Sequence, residues 1–315
     1  MSTIVGDRSM RLAYGEALVE VGQENDRIVV LDADLANSTM TGLFQEKYTN
    51  RFWDVGISEA NLLGIAAGLA QSNKIPFVSS YAIFAVGKAY DQIRNTIAYS
   101  SLNVKICATH GGLSAGLEGS SHQMLEDISI VRAIPNMQCI VPADAYETKA
   151  VIRAISQIDG PFYVRLSRMT SPVIFDENYI FELGKSVCVH EGNDVCIIAC
   201  GVMVATALSV AKKYLEKGIS IRVINMSSIK PIDTHAIIKA SLECGKIITV
   251  EDHTVIGGLG SAVAEVIIKN DPVPMRFLGV QDKFGKSGHP HELYKKYGID
   301  EKSIELEVQD LLFGH

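Results

Sequence analysis

The sequence lacks the features that mark several common classes of protein. Its 315 residues include six cysteines but no C-x-x-C pair, and several cysteines lie in apolar, strand-like runs typical of buried reduced thiols. The net charge is −7 with scattered lysines and arginines and no basic block, which argues against a nucleic-acid partner. No apolar run reaches membrane-spanning length, and the N-terminus has no basic start followed by an apolar stretch. These absences predict a cytoplasmic protein that binds neither nucleic acid nor membranes.

Common nucleotide and metal motifs are also missing. The sequence contains no G-x-x-x-x-G-K-[ST] or H-E-x-x-H pattern and no cysteine spacing of a metal site, so no metal ligand is predicted in this chain. The glycine-rich residues 257–262 follow a predicted strand but depart from G-x-G-x-x-G. We therefore exclude a nicotinamide site there and expect close helix packing or a subunit contact.

Short β-branched runs alternate with helical periodicity along the chain, a pattern typical of βα units around a parallel sheet. Predicted strands cover residues 27–31, 52–55, 75–79, 104–108, 138–141 and 162–166, and in the second half 194–200, 220–225, 246–250 and 275–278. Predicted helices cover residues 8–22, 84–99, 143–157, 202–217, 233–244 and 260–269. A less regular run near residue 180 predicts two domains, 1–180 and 181–315. The expected fold class is α/β, with two doubly wound domains and mostly parallel sheets.

One acid, Glu59, stands at the mouth of an otherwise apolar helix. Between residues 60 and 70 a single residue is polar, which predicts a helix buried on nearly all sides. A serine cap with Glu59 complementing the helix dipole is one interpretation. The other is a ligand nitrogen as hydrogen-bond partner, because an unpaired carboxylate is costly to bury. Ala60, Gly64 and Gly68 share one side of the helix and predict a close packing interface.

Polar residues follow most strands of the first half, where open parallel sheets bind ligands. They include Asp32, Asp34, Glu59, Tyr81, His110, Arg165 and Arg168. The strands of the second half end in less distinctive residues, at 201, 226–228 and 251–253. The sequence therefore predicts a site at one edge of the first sheet.

A glycine-rich segment, residues 109–123, follows a predicted strand and contains His110 and His122. One interpretation is a mobile surface loop with solvated histidines. The other is a binding loop, because an imidazole can donate to a phosphate or a sugar hydroxyl, or move a proton near neutral pH. Arg11 and Arg168 would suit a phosphate if they converge with this loop. Tyr81 and Phe84 indicate either core packing or a flat cofactor ring.

Taken in order, these motifs resemble the C-terminal half of transketolase over nearly the whole chain, and in particular the separate C-terminal subunit of split transketolases. The matching stretches are LDADL at 31–35, GISE at 56–59, YAIF at 81–84, the loop at 110–123, IPNM at 134–137, RLSR at 165–168 and FG-x-SG at 284–288. The resemblance implies a pyrimidine-binding domain at residues 1–180, a transketolase C-terminal domain at 181–315, and thiamine diphosphate as cofactor.

The resemblance also implies residue roles. Glu59 would hydrogen-bond N1′ of the aminopyrimidine and favour the imino form that takes the proton from thiazolium C2. Other cofactor-binding residues would be Tyr81, Phe84, Asp34, Leu35 and Ile57. Substrate-binding residues would be Arg11, Ser38, His110, Glu118, His122 and Arg168, and the catalytic residues would be Glu59, His110 and His122.

Two departures from the family pattern bear on these roles. Gly87 stands where transketolases often carry a third aromatic residue, and Glu118 stands where many carry Asp. The diphosphate and magnesium motif, Gly-Asp-Gly followed by a later Asn, is absent. The resemblance thus implies Mg²⁺ ligands on an N-terminal partner subunit, together with a second copy of this chain in a heterotetramer and sugar phosphate substrates.

Three alternatives stay open from the sequence. The β subunit of a 2-oxo-acid dehydrogenase decarboxylating component shares both domains, although it should not need Arg11, His110 and Arg168. Deoxyxylulose-phosphate synthase resembles residues 89–92, but it normally carries its magnesium site in the same chain. A non-catalytic assembly subunit could keep the same fold.

Overall fold

A computed structural model describes residues 6–314. Its strands within that range are β1 (Asp7–Ser9), β2 (Ile28–Asp32), β3 (Phe52–Asp54), β4 (Ile75–Ser79), β5 (Lys105–Ala108), β6 (Gln138–Ile140), β7 (Phe162–Arg165), β8 (Thr170–Pro172), β9 (Val187–His190), β10 (Val195–Ala199), β11 (Ile221–Asn225), β12 (Ser228–Lys230), β13 (Ile247–Thr254) and β14 (Met275–Val280). Its α-helices are α1 (Met10–Glu24), α2 (Ala36–Thr39), α3 (Gly42–Lys47), α4 (Glu59–Gln71), α5 (Asp127–Ala133), α6 (Ala145–Gln157), α7 (Met203–Leu215), α8 (Thr234–Cys244), α9 (Leu259–Asn270), α10 (Pro290–Tyr297) and α11 (Glu301–Phe313).

The first half of the chain forms most of a seven-stranded sheet in the order β12-β6-β7-β5-β4-β2-β3. Strands β2 to β7 pair in parallel, and β2, β4, β5 and β7 are buried along their whole length. Burial of this kind is expected when helices cover both faces of a parallel sheet. The six predicted strands are confirmed. The seventh, β12, comes from the second half of the chain and runs antiparallel to β6.

The second half forms a five-stranded sheet in the order β14-β13-β10-β11-β9. Its four predicted strands are confirmed as parallel neighbours. Strand β9 was missed because it is only partly buried and has no apolar run long enough to predict a strand. The short ribbon of β1 and β8 was missed for a similar reason, since each strand has three residues. The expected fold class, two α/β domains with mostly parallel sheets, is confirmed.

The helix predicted over residues 84–99 has a different form. The chain winds there into two π-helical segments, Ile83–Lys88 and Gln92–Ala98, which are separated near Ala89. Apolar periodicity indicates a helix but does not distinguish a π turn from an α turn, so the sequence could not predict this. Wide turns of this kind occur often at functional sites. The helix predicted from residue 8 begins instead at Met10, because the preceding residues pair with β8.

Helix α4 is apolar but only half covered. Gly64 and Gly68 lie on an exposed side, and no atom lies within 4 Å of the position that a Cβ would take at either residue. The opposite side is buried through Leu62, Leu63, Ala66 and Ala67. The prediction of burial on nearly all sides is therefore wrong for the single chain. The open side is the small-residue side, and its role as a packing interface stays a prediction.

Other sequence expectations can be compared with the described residues. Five cysteines are buried, as expected, but Cys188 is exposed. The glycine-rich turn before α9 is a close helix contact, in which the Glu251 carboxylate accepts from the backbone N–H groups of Leu259 and Gly260 at 2.7 and 2.8 Å. No helix within residues 6–314 is long and apolar enough to span a membrane. The domain boundary near residue 180 stays a prediction.

Candidate active site

The carboxyl ends of β2, β4 and β5 lie side by side, because these strands are parallel neighbours in the first sheet. The chain leaves β2 through a turn that Asp32 organises. Its carboxylate accepts from the Thr39 and Thr41 hydroxyls at 2.7 and 2.9 Å and from the Leu35 N–H at 2.7 Å. Burial raises the pKa of Asp32, and these hydrogen bonds oppose that rise. This buried acid therefore shapes the turn that presents Ser38.

Ser38 connects two of the predicted site residues. Arg11 Nη1 donates to the Ser38 carbonyl at 2.6 Å, and the Ser38 and Tyr81 hydroxyl oxygens lie 2.9 Å apart. Arg11 Nε is buried without a hydrogen-bond partner. Burial, followed by the positive charge of Arg168, lowers the pKa of Arg11. The predicted convergence of the two arginines on this edge is thus present in the fold.

Four aromatic rings form a wall beside these residues. Tyr81 and Phe84 are stacked with ring centroids 5.8 Å apart, and Tyr81 stacks on His110 at 3.7 Å. His122 meets the edge of Phe84 at 5.3 Å. Both Tyr81 and Phe84 remain partly exposed, so core packing alone does not account for them. The wall leaves aromatic surface available to a flat ring.

Glu59 is the first residue of α4 and is 5% exposed. The serine-cap interpretation is wrong in detail, because Ser58 makes no side-chain hydrogen bond to the helix and donates to the Val55 carbonyl instead. Lys88 Nζ lies 3.4 Å from both carboxylate oxygens and 4.6 Å from the Phe84 ring centroid. The sequence reasoning missed Lys88. Its position four residues after Phe84, on a predicted helix, was the available signal.

The loop after β5 is packed rather than solvated. His110 is 1% exposed, and its Nδ1 lies 2.9 Å from the Thr109 hydroxyl. Burial, followed by the charges of Arg11, Arg168 and His122, lowers the pKa of His110 to about 3. A mobile loop with solvated histidines is thus wrong for His110. Its imidazole is therefore neutral near pH 7 in the single chain and can donate a hydrogen bond. The catalytic roles of Glu59, His110 and His122 stay predictions.

Glu118 joins the loop to the arginines. Its Oε1 lies 4.0 Å from His110 Nε2 and 3.7 Å from Arg168 Nε, while its Oε2 is buried without a partner. Ser114 lies in a G-x-S-x-G spacing, but its hydroxyl donates to the Gly111 carbonyl at 2.6 Å and accepts from the Arg168 N–H at 3.3 Å. Ser114 is therefore a structural group. The orphan oxygen of Glu118 and the orphan nitrogen of Arg11 are polar atoms available to a ligand.

Three further predicted residues border the wall. Asp34 is exposed in the turn after β2, with a φ of 61°, and its N–H donates to Asp54 at 3.0 Å. Leu35 follows it, and Ile57 is 74% exposed two residues before α4. Their predicted contact with a cofactor stays a prediction. Within residues 6–314, no group of three or more His, Cys, Asp or Glu side chains is arranged to hold a metal ion.

Family models match both halves of the chain. Residues 7–173 match the pyrimidine-binding domain of transketolase, and residues 184–304 match the transketolase C-terminal domain. The chain therefore belongs to the transketolase family. Within that family it corresponds to the C-terminal section, with both of these domains, that split transketolases carry as a separate chain.

Similar proteins cover the chain almost completely. It is 47% identical over 306 residues to a putative transketolase C-terminal section of Methanocaldococcus jannaschii, covering 96% of each. It is 42% identical over 295 residues to the 6-deoxy-6-sulfo-D-fructose transketolase subunit SqwH of Clostridium sp. (strain MSTE9), covering 94% of this chain and 92% of that one. It is also similar to a solved split-gene transketolase described as an inactive beta4 tetramer, with 46% identity, a TM-score of 0.90, and coverage of 98% of this chain and 99% of that one.

Proposed function

We propose that this chain is the C-terminal subunit of a two-chain, cytoplasmic transketolase, which moves a two-carbon ketol group from a ketose phosphate to an aldose or aldose phosphate. The observation that carries the proposal is a buried acid, Glu59, joined through Lys88 to an open aromatic pair, with two arginines and two histidines gathered near the same pair. The chain would act only with an N-terminal subunit.

The residues fit the aminopyrimidine half of thiamine diphosphate. The cofactor, when bound, supplies the carbon–carbon chemistry of ketol transfer. The Glu59 carboxyl would hydrogen-bond the ring nitrogen N1′, and its burial strengthens such a bond by excluding water. Tyr81 and Phe84 would hold the ring face, while Asp34, Leu35 and Ile57 would border it. Lys88 must leave Glu59 for this bond to form, and its exposed position allows that movement.

The other end of the site suits the anionic end of a sugar. Arg11 and Arg168 would pair with the terminal anion, together with the Ser38 hydroxyl and the neutral His110 imidazole as a donor. Glu118 and His122 would contact substrate hydroxyls and the carbonyl. The related Clostridium subunit acts in a transketolase for a sulfonated sugar, and a sulfonate would pair with the same arginines. The terminal anion is therefore the feature to vary in a substrate screen.

Magnesium and the cofactor diphosphate would be held by the N-terminal partner, and the exposed side of α4 would pack against that partner or a second copy of this chain. A heterotetramer of two subunits of each kind is the expected assembly. A related split-gene transketolase is described as an inactive beta4 tetramer, which supports the requirement for a partner.

Reconstitution tests the proposal. The pure chain is expected to show no ketol transfer, and mixing it with the N-terminal subunit should give transfer that depends on thiamine diphosphate and Mg²⁺. A coupled assay with a panel of ketose phosphates and a sulfonated ketose measures this. Activity of the chain alone contradicts the two-subunit assignment. A complex that neither binds thiamine diphosphate nor transfers a ketol group identifies an assembly subunit instead.

Glu59→Ala tests the acid within that complex. Turnover should fall by about 10² to 10⁴-fold, the usual contribution of a positioned acid or base. The matched control is Glu46→Ala, because Glu46 is exposed on α3, and it should keep wild-type turnover. Near-normal turnover of Glu59→Ala would remove Glu59 from the mechanism.

A further inference from the structure

The second domain contacts the loop that carries His110 and Glu118. The contacts come from the end of β13 and from residues 284–290, which follow β14 and end at the first residue of α10. Both regions stood out in the sequence, at the polar strand end 251–253 and the FG-x-SG motif, yet the proposed reaction uses neither. Each contact includes a hydrogen bond between the loop and the second domain.

Asp252, near the end of β13, is the central group. Its Oδ1 accepts from the Leu113 N–H at 2.8 Å, and its Oδ2 accepts from the Tyr294 hydroxyl at 3.1 Å. Its carbonyl accepts from Arg165 Nη2 at 2.8 Å. Hydrogen bonds fix both oxygens of this carboxylate, and Asp252 is 4% exposed. The bond from the Leu113 N–H therefore holds the loop backbone in place and is shielded from water.

A second contact lies at the other end of the loop. Gln123 Nε2 donates to the Lys286 carbonyl at 2.9 Å and to the Gly116 carbonyl at 3.1 Å. The side chain of Gln123 therefore joins the loop to the segment 284–290 and braces the loop internally.

Glycines allow the two surfaces to come this close. A Cβ on Gly112 would overlap the Asp252 carboxylate, and Gly112 has a φ of 79°, which favours glycine. A Cβ on Gly285 would overlap Gln123, and one on Gly119 would overlap the Ser287 hydroxyl. Glycines on both sides of the contact therefore allow the two surfaces to approach closely.

The geometry points to Asp252 as a positioning residue: by holding the Leu113 N–H, the second domain sets the place of the loop that carries His110 and Glu118, and thereby the fit of the anionic sugar. The inference rests on the proposed function. Arg168 is linked to the same loop, because its backbone N–H donates a hydrogen bond to the Ser114 hydroxyl. Glu59, Tyr81 and Phe84 stand on other elements and receive no hydrogen bond from Asp252.

The test compares Asp252→Ala and Asp252→Asn in the reconstituted complex. The alanine variant should raise the KM for phosphorylated donors by about tenfold or more, the size of one hydrogen bond to a charged group, with a much smaller change in kcat. The asparagine variant keeps an oxygen for the Leu113 N–H and should recover most of the wild-type KM. The matched control is Asp233→Ala, because Asp233 is a buried cap of α8 in the same domain; it should lower stability without raising KM.

Hydrogen exchange on the chain alone provides a readout that does not require activity. Asp252→Ala should speed exchange at Leu113 and the surrounding loop, whereas Asp233→Ala should not. If the wild-type complex transfers no ketol group, the proposed function fails while the exchange result still decides whether Asp252 holds the loop. If Asp252→Ala does not fold, Gly285→Ala should raise KM in its place by displacing Gln123. Folded variants with unchanged exchange and unchanged KM would overturn the inference. It would also be overturned if Asp252→Ala lowered kcat by the same factor as it raised KM and Asp252→Asn restored neither value.

Discussion

The two ends of the candidate site are built in different ways. The acid end consists of Glu59 on α4, Tyr81 shortly after β4, and Phe84 and Lys88 on the first π-helical segment. It lies beside a side of α4 that is exposed. The loop end, residues 109–123, is largely buried and is held by both domains. Within residues 6–314, the loop end is therefore enclosed by other parts of this chain, while the acid end has an apolar side that those residues leave uncovered. We therefore expect assembly to complete the acid end, whereas the fold of this chain already places the loop end.

The largest effect is expected from filling the exposed side of α4. Gly64→Leu should leave the lone chain folded, because no atom lies within 4 Å of the added Cβ. It should weaken association with the partner or a second copy by about 10 to 100-fold, since overpacking an interface costs about 1–3 kcal/mol. Sedimentation velocity and circular dichroism measure the two properties. The control Lys302→Leu replaces an exposed lysine of α11 with leucine and should associate normally. Wild-type association of Gly64→Leu would mean that the open side of α4 is not an interface.

A smaller effect is expected at the loop end, from pH. The folded-state pKa of His110 is about 3 and its ordinary value is near 6.5, so the unfolded chain takes up the proton first as pH falls. The contribution of His110 to the free energy of unfolding is therefore fully present above pH 6.5 and is lost as pH falls toward 3. The expected loss between pH 6.5 and 5 is about 1.5 kcal/mol. Urea unfolding of wild type and His110→Gln at both pH values isolates this contribution. Equal pH dependence in the two proteins would show that His110 protonates freely in the folded chain.

The smallest effect is expected from the ion pair at the acid end. Lys88→Met should lower the free energy of unfolding of the lone chain by less than about 1 kcal/mol, because the Lys88 side chain is 53% exposed and water screens the pair. Urea unfolding at low and high salt measures it, with Lys283→Met as the exposed control. A loss well above that of the control, unaffected by salt, would show that the acid end is already closed in the single chain.

The sequence predicted the sheets and the edge where the site lies, because strands of a buried parallel sheet are strongly apolar. The polar residues that directly follow these strands are therefore easy to recognise. Arg11, Ser38, Tyr81, His110, Glu118 and Arg168 do come together there. Asp252 could not be assigned to the loop, since it lies 139 positions after Leu113 in the sequence and only tertiary packing joins them. The prediction that α4 is buried on nearly all sides was wrong for the single chain. An apolar pattern does not distinguish burial within the same chain from burial against another chain. The very low pKa of His110 was equally hidden, since it depends on burial, on the charges of Arg11 and Arg168 from two other segments, and on His122 in its own loop.

Strand β12 has a consequence for how the molecule is made. It supplies the outer strand of the first sheet next to β6, although it lies beyond the boundary predicted near residue 180. During synthesis, the first 180 residues leave the ribosome before this strand exists, so the edge of β6 is bare until the second domain follows. An isolated fragment of residues 1–180 would carry the same bare edge, and unpaired strand edges promote aggregation. The two halves of this chain also share an apolar core that contains residues from both sheets, so the first half is fully packed only after the second half has been made.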